Sequence, residues 1–278
     1  MTRSFEIVPG IEVGESNRLL LMAGPCQIES LEHCLKVAAF LRDLCAGYPV
    51  NLVFKSSFDK ANRTSLGGLR GPGIETGLSI LKRVRKETGL PVVTDVHSAE
   101  QVHLVSDAVD ILQTPAFLCR QTDLLLAAGS SGKPVHCKKG QFLAPQDMRF
   151  AAEKIASTGN RRVMLCERGS SFGYRDLVVD MRSLMVMRET GWPVTFDATH
   201  SVQSPGGADG ASGGSRKFVI SLACAAAAVG IDGLFVECHE RPEAAPSDGA
   251  CMLPLANMKE LLDRVCSIRE SHRGSPAV

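Results

Sequence analysis

Between Phe54 and Ser65 the chain reads FKSSFDKANRTS. Lys55, Lys60 and Arg63 supply cations there, and Ser56, Ser57, Asn62, Thr64 and Ser65 supply hydroxyl and amide donors. Donors of that number and type can hold an anion such as a phosphate or a carboxylate. The stretch follows the apolar residues Val50, Leu52 and Val53, so it begins where a buried strand should end. A solvated surface loop has the same composition. The two readings part on whether other strand ends repeat the chemistry.

They do repeat it. Cys26, Lys55 with Ser57, Asp95 with His97, Gln113, Lys138, Arg168, His200 and Glu237 each stand where an apolar run gives way to polar residues. If these ends converge, they form a mouth of cations, carboxylates, imidazoles and a thiol, and the excess of anion binders favours a ligand. The structural alternative makes Lys138 and Arg168 ion-pair partners of Asp95 and Glu237, sealing the core. Taken singly each residue is weak evidence, since His97 can be a satisfied core histidine and Cys26 mere apolar filling. Cys26, His200, Glu237 and Asp248 also make a possible metal set. A thiolate and an imidazole suit a borderline metal such as zinc or ferrous iron, and carboxylates complete its shell. No compact spacing announces that set, because each ligand would come from a different part of the chain.

The elements that must position these residues recur with a rhythm. Apolar runs occupy 19–26, 50–55, 91–97, 110–115, 134–139, 163–169, 193–200 and 233–239. Candidate helices lie between them, at 31–46, 73–88, 98–105, 120–130, 145–158, 176–189, 215–230 and 254–270. Near-continuous apolar strands alternating with helices imply a parallel sheet covered on its outside, and eight such units favour a closed α/β (β/α)8 TIM barrel. In that fold catalytic residues come from the C-terminal strand ends and the loops that follow. FEIVPGIEVGE, at 5–15, alternates around Pro9-Gly10 and predicts a short N-terminal β-hairpin. One domain over 1–278 is expected, with a disordered tail from 271 and a mobile Gly/Ser-rich loop from Ser204 to Ser215.

Composition bounds the partners. The chain has 278 residues, close to the roughly 250 of a single barrel. Its 31 Lys plus Arg nearly balance 30 Asp plus Glu, so the net charge of +1 creates no field to gather nucleic acid or an anionic membrane. The ten cysteines are scattered without a CxxC pair, which suggests a reducing cytoplasm. Glu6 and Pro9 interrupt the place where a signal peptide needs an apolar core. The most apolar stretch, Phe218 to Ile231, is shorter than the ~20 residues of a membrane span and reads as a buried helix.

Further motifs are RGPG (70–73), TDVH (94–97), QTPAFLCRQTDL (113–124), CKKGQF (137–142), CERGSSFGY (166–174), FDATHSVQ (196–203) and SDGACMLPL (247–255). Together with the KANR loop they closely resemble the family of 3-deoxy-D-manno-octulosonate 8-phosphate synthases, also called 2-dehydro-3-deoxyphosphooctonate aldolases. The resemblance runs from about Gly24 to Leu255. It implies a cytoplasmic, homotetrameric (β/α)8 barrel that condenses phosphoenolpyruvate with arabinose 5-phosphate for lipopolysaccharide assembly.

Carried over by motif, Lys138 and Arg168, with backbone near Ala116, would hold the phosphoenolpyruvate phosphate, and Lys55, Ser57 and Lys60 would lie nearer its carboxylate. Asn62, Arg63 and Thr64 would bind arabinose 5-phosphate, with Arg120 reaching its phosphate from a neighbouring subunit. Asp95, His97 and Gln113 would line the space between the substrates. Some members have Asn at the position of Cys26 and work without metal. Cys26, with His200, Glu237 and Asp248 at the matching positions, resembles the metal-dependent group, which implies a divalent ion such as zinc, iron or manganese. Gly140 departs from the Pro of many relatives and is expected to loosen the loop after Lys139. Two other readings stay open: the related synthase that uses erythrose 4-phosphate in aromatic biosynthesis, whose loop is typically KPRT-like, and a non-catalytic sugar-phosphate-binding barrel.

Overall fold

The computed structural model describes residues 4–14, 18–208 and 211–271. Eight parallel strands run β1 (Leu19–Gly24), β2 (Val50–Lys55), β3 (Val92–Asp95), β4 (Ile111–Thr114), β5 (Val135–Lys138), β6 (Val163–Glu167), β7 (Val194–Asp197) and β8 (Gly233–His239). Each pairs with its sequence neighbour, and β8 pairs with both β7 and β1, which closes the barrel. The outer ring is α1 (Leu31–Cys45), α2 (Ile74–Thr88), α3 (Ala99–Ser106), α4 (Thr122–Ser130), α5 (Met148–Ala156), α6 (Arg182–Arg188), α7 (Val219–Val229) and α8 (Met258–Ser271). The predicted (β/α)8 barrel is therefore the observed one.

Period-two alternation divides the strand side chains between two cores. Leu19, Leu21, Leu52, Phe54, Val92, Leu112 and Val163 pack outward beneath the helices. Leu20, Met22, Val53, Val93, Ile111, Met164 and Phe235 form a second cluster inside the barrel. The helices present matching stripes: in α1, Cys34, Val37, Ala38, Leu41 and Cys45 are buried, at spacings of three and four. Ser30 caps that helix, its Oγ accepting from the His33 N–H at 3.1 Å.

The predicted N-terminal hairpin pairs Phe5–Val8 with Ile11–Val13, and Ile7 and Val13 join the interior cluster. An apolar plug therefore closes one end of the barrel and leaves the polar strand ends at the other. Val13 is fully buried, so Val13→Asp places an unpaired carboxylate in that plug. It is expected to cost about 3 kcal/mol or more, read as a lower urea midpoint, whereas Glu12→Gln on the hairpin's outer side should change little.

Several boundaries differ from expectation. The helices expected from Ser215 and Pro254 begin at Val219 and Met258, behind 3-10 turns at Arg216–Phe218 and Leu255–Asn257. The helix expected from Asp176 begins at Arg182, because Leu177–Val178 pairs antiparallel with Ser170–Ser171. Asp180 then accepts from the Arg182 N–H at 3.0 Å and starts the helix. The helices expected from Arg120 and Pro145 start later, behind 3-10 turns at Ala116–Leu118 and Pro145–Asp147. The stretch expected to be a loop from Ser204 to Ser215 is largely a ladder, Gln203–Ala208 against Ala211–Gly214, closed at its base by Ser215 N–H donating to Val202 O at 3.0 Å. Of the tail, residues 272–278 lie outside the described residues. Among the described residues no helix is long and apolar enough to cross a membrane.

Candidate active site

The C-terminal strand ends open into a cavity of about 230 Å³. Lys55, Asp95 and Lys138 close strands β2, β3 and β5, Gln113 is next to last in β4, and Glu237 lies in β8. Arg168 follows β6 directly, and His200 stands in a 3-10 turn after β7. All seven line the cavity, together with Lys60, Asn62, Arg63, Thr64, His97, Ala116 and Asp248. Convergence is built into the fold, since eight parallel strands deliver eight ends to one mouth.

Inside the mouth the cations are paired. Lys55 Nζ donates to Glu237 Oε1 at 2.5 Å and to Cys26 O at 3.0 Å. Lys138 donates to Asp197 Oδ2 and lies 3.1 Å from the centroid of the Phe235 ring. Asp197 Oδ2 also meets His200 Nδ1 at 2.8 Å. Ser57 and Gln113 each donate to one oxygen of Asp95. Burial pushes the Asp95 and Glu237 carboxyls up, but Lys55 and Lys60 outweigh it and hold both well below the usual carboxylate range. His200 and Lys138 do the same for Asp197.

Two atoms in this network lack partners. Arg168 is 4% exposed and gives one Nη to Gln203 Oε1 at 3.0 Å, but its Nη1 is buried with no acceptor. Glu237 is fully buried, and its Oε2 has no donor. A sealed structural ion-pair lattice satisfies its members. Here one site wants an anion and another wants a cation.

Cys26, Glu237 and Asp248 bring one ligand atom each to within 4.8 Å of one another. Cys26 Sγ donates to Asp248 Oδ2 at 3.1 Å, and His200 Nε2 lies 3.7 Å from Glu237 Oε2. Burial, with Glu237 nearby, pushes the Cys26 thiol well up, so a cation is what would make it a thiolate. The unpartnered Glu237 Oε2 and the thiol and carboxylate donors fit a divalent metal of the zinc or iron type, with the His200 imidazole next to Glu237 but outside the tight trio. Gly24 allows this corner to form, because a Cβ there would stand 2.1 Å from Lys55 O. Asp248 holds φ 50°, a left-handed conformation that aspartate tolerates better than most residues. A second trio, Glu29, His33 and His239, is equally close. There the Arg241 N–H donates to His239 Nδ1 at 2.9 Å, so Nε2 carries the proton that it gives Glu29 at 2.8 Å. That nitrogen is not free to ligate.

Not every expected residue faces the cavity. Ser57 is fully buried behind Asp95, and Arg120 is exposed and lines a separate depression with Lys154 and Phe150. Arg63 is in the wall, where its guanidinium bridges to Gln27, Pro246 and Ser247. The loop after Lys139 is pinned despite Gly140. Lys139 Nζ reaches Gly169 O at 3.1 Å and Ser170 Oγ at 3.0 Å, and Leu143 N–H donates to Gly140 O at 3.0 Å. Sequence reasoning missed Asp197, Gln203 and the buried Lys139–Glu167 pair, 3.6 Å apart. Asp197 had a signal, since it is the charged residue that closes the apolar run of β7.

Acid stability should report these carboxylates. Their folded values lie below the unfolded ones of about 4, so their stabilising contribution is intact above that range and is lost as pH falls through and below it. Burial also holds the His136 and His33 imidazoles below their ordinary value, and the stability this contributes is lost as pH falls through about 6.5. The melting temperature is therefore expected to decline in two limbs, a first between about pH 7 and 5 from the histidines and a steeper one below about 4 from the carboxylates. Glu167, pushed up by burial, acts in the opposite sense, and Glu167→Gln should leave that acid limb in place. A melting temperature with no further drop below about pH 4 would contradict the assignment.

The geometry agrees with the relationships of the chain. A family model described as the DAHP synthetase I family matches residues 3–271. A protein of Magnetococcus marinus named 2-dehydro-3-deoxyphosphooctonate aldolase is 58% identical over 265 residues, 95% of this chain and 92% of the relative. Proteins of the same name from Granulibacter bethesdensis and Legionella pneumophila are 57% and 53% identical, over 93% and 95% of this chain and 92% and 96% of their own lengths. The chain thus belongs to the DAHP synthetase I family, among the relatives named 2-dehydro-3-deoxyphosphooctonate aldolase.

Proposed function

We propose that the protein condenses phosphoenolpyruvate with D-arabinose 5-phosphate and water, giving 3-deoxy-D-manno-octulosonate 8-phosphate and inorganic phosphate. The observation that carries this reading is the buried, unpartnered Nη1 of Arg168, in a cavity that Arg168 lines together with Lys138, Lys55, Lys60 and Arg63. That arrangement is prepared for a phosphate that arrives with a second anion.

Arg168 and Lys138 hold the phosphoenolpyruvate phosphate, with backbone near Ala116 at its edge. Lys55 and Lys60 take its carboxylate, and Ser57 acts behind them by fixing Asp95. Asn62, Arg63 and Thr64 bind arabinose 5-phosphate. C3 of phosphoenolpyruvate attacks the aldehyde carbon, and the aldehyde oxygen gains a proton. Water adds at C2, and the hemiketal phosphate then loses inorganic phosphate by C–O cleavage. The cations offset the repulsion between two anionic substrates, and holding the reacting carbons together lowers the barrier. Asp95, kept ionised by Lys55 and Lys60, accepts from a sugar hydroxyl and keeps the phosphoenolpyruvate carboxylate on the lysine side. His97 and Gln113 complete the wall between the substrates. Cys26, His200, Glu237 and Asp248 would hold a divalent metal, which supplies Lewis acidity toward the aldehyde or water when bound.

Assembly belongs to the same proposal. Arg120 is turned away from its own cavity, as suits a residue that completes a neighbour's sugar-phosphate site in a homotetramer. None of the ten cysteines is in a disulfide and nine are buried, which suits a reducing cytoplasm. The test is substrate choice: with phosphoenolpyruvate fixed, kcat/KM for arabinose 5-phosphate should exceed that for erythrose 4-phosphate by at least about 100-fold. Preference for erythrose 4-phosphate would return the chain to the aromatic-pathway reading. Tight binding of both substrates without phosphate release would make it a sugar-phosphate-binding barrel.

A further inference from the structure

His136 is wholly buried in β5, and neither substrate nor the metal set reaches it in the account above. Its ring makes two hydrogen bonds, Nδ1 to Gln113 Oε1 at 2.8 Å and Nε2 to Thr195 Oγ1 at 2.8 Å. The far end of the Gln113 amide, Nε2, donates to Asp95 Oδ1, while Ser57 donates to Oδ2. These contacts set the polarity from Asp95 to His136 Nδ1. An amide that gives its NH2 to a carboxylate must present its oxygen to the imidazole, so His136 Nδ1 carries the proton and donates. Nε2 of the neutral ring is then an acceptor for the Thr195 hydroxyl at 2.8 Å, in competition with Leu165 O at 3.3 Å.

We propose that His136 is a positioning residue that sets the Gln113 amide so that its NH2, and not its oxygen, faces Asp95. Without a donor at Nδ1 the amide can rotate by half a turn and set its oxygen against the Asp95 carboxylate. That contact is repulsive, and Asp95 would turn away from the sugar. The other charged groups around the ring are Lys138 and Asp197, together with Asp95 itself, and burial with Lys138 keeps the imidazole neutral. Phe235 stacks near it at 6.1 Å, which limits ring rotation. The route from His136 to the cavity is one amide long, because Gln113 and Asp95 both line the cavity and His136 does not.

The functional consequence rests on the reaction assigned above, so the test has an arm that does not. The activity arm compares wild type, His136→Leu, His136→Asn, Gln113→Leu and the Leu/Leu double variant. Asparagine places its amide nitrogen where Nδ1 stood, and both His136 variants lose the Thr195 bond. Their difference therefore isolates the donor to Gln113. His136→Leu is expected to lower kcat by about tenfold to a hundredfold with phosphoenolpyruvate KM changed less than about threefold. His136→Asn should recover most of that loss, and the double variant should be no slower than Gln113→Leu alone. Equal rates for the Leu and Asn variants, or multiplying losses in the double variant, would overturn the proposal.

The second arm is a neutron structure of the wild-type protein at neutral pD. Deuterium on Nδ1 is expected, and an Nδ1 without deuterium would overturn the proposal. If wild type releases no phosphate the reaction assignment fails, and the neutron result alone then decides whether His136 sets the amide.

Discussion

Lys138→Met is expected to lower kcat/KM for phosphoenolpyruvate by about 10³ to 10⁴. Lys138 Nζ lies over Phe235 and pairs with Asp197, and it is 5% exposed. Losing it removes one of the two cations assigned to the phosphate, and it also leaves the buried Asp197 carboxylate with only its His200 contacts, facing the cavity of the same phosphate. The variant therefore changes attraction into repulsion. Breaking such a pair also costs about 3–5 kcal/mol of stability, so loss of activity alone would be ambiguous. Lys138→Met combined with Asp197→Asn removes both charges. That double variant should regain most of the lost melting temperature and none of the lost catalysis. A double variant that regains activity would mean that Lys138 serves the fold and not the phosphate. Lys138→Arg should keep binding but lower kcat, because a planar guanidinium cannot occupy the same point above the ring.

The second large effect concerns the metal set. Stripping the protein with a chelator is expected to lower activity at least about 100-fold, with recovery on adding zinc, manganese or ferrous iron. Cys26→Ala should need at least about tenfold more metal for half-maximal activity. Removing the thiol takes away the donor that lies beside Asp248 and leaves Glu237 Oε2 without its cation. Direct metal analysis should find about one ion per chain in wild type and far less in the variant. Full activity in protein from which metal analysis finds no ion would contradict this reading and leave the condensation reaction standing.

Much of this architecture is legible in the sequence, for reasons seen in particular elements. The strands β1 to β8 are buried on both faces, so runs such as VNLVFK and VMLCE carry no alternation to confuse with an amphipathic strand, and their abrupt polar endings mark the mouth. Lys55, Asp95, Lys138 and Glu237 stand at those endings, and all four line the cavity. Partnerships were not legible. The sequence alternative paired Lys138 and Arg168 with Asp95 and Glu237, whereas Lys138 pairs with Asp197 and Lys55 with Glu237. Which strand end faces which depends on register and tilt around the closed barrel, and these leave no trace in local composition.

Depth was equally hidden. Ser57 and Asn62 sit in one polar stretch, but Ser57 is fully buried and Asn62 lines the cavity. The helix expected from Asp176 failed because Leu177 and Val178, apolar and adjacent, fit a strand ladder as well as a helix face. His136 looked like one apolar-run residue among others. Only the direction of its bond to Gln113 distinguishes a positioning group from a satisfied core histidine.

The most direct test of the central claim is release of inorganic phosphate by metal-loaded protein, measured with phosphoenolpyruvate alone and with phosphoenolpyruvate plus arabinose 5-phosphate. The account expects no release from phosphoenolpyruvate alone, and one phosphate for each sugar consumed when both are present. Release that proceeds equally without the sugar would make the cavity a phosphatase site, and no release under either condition would contradict the condensation outright.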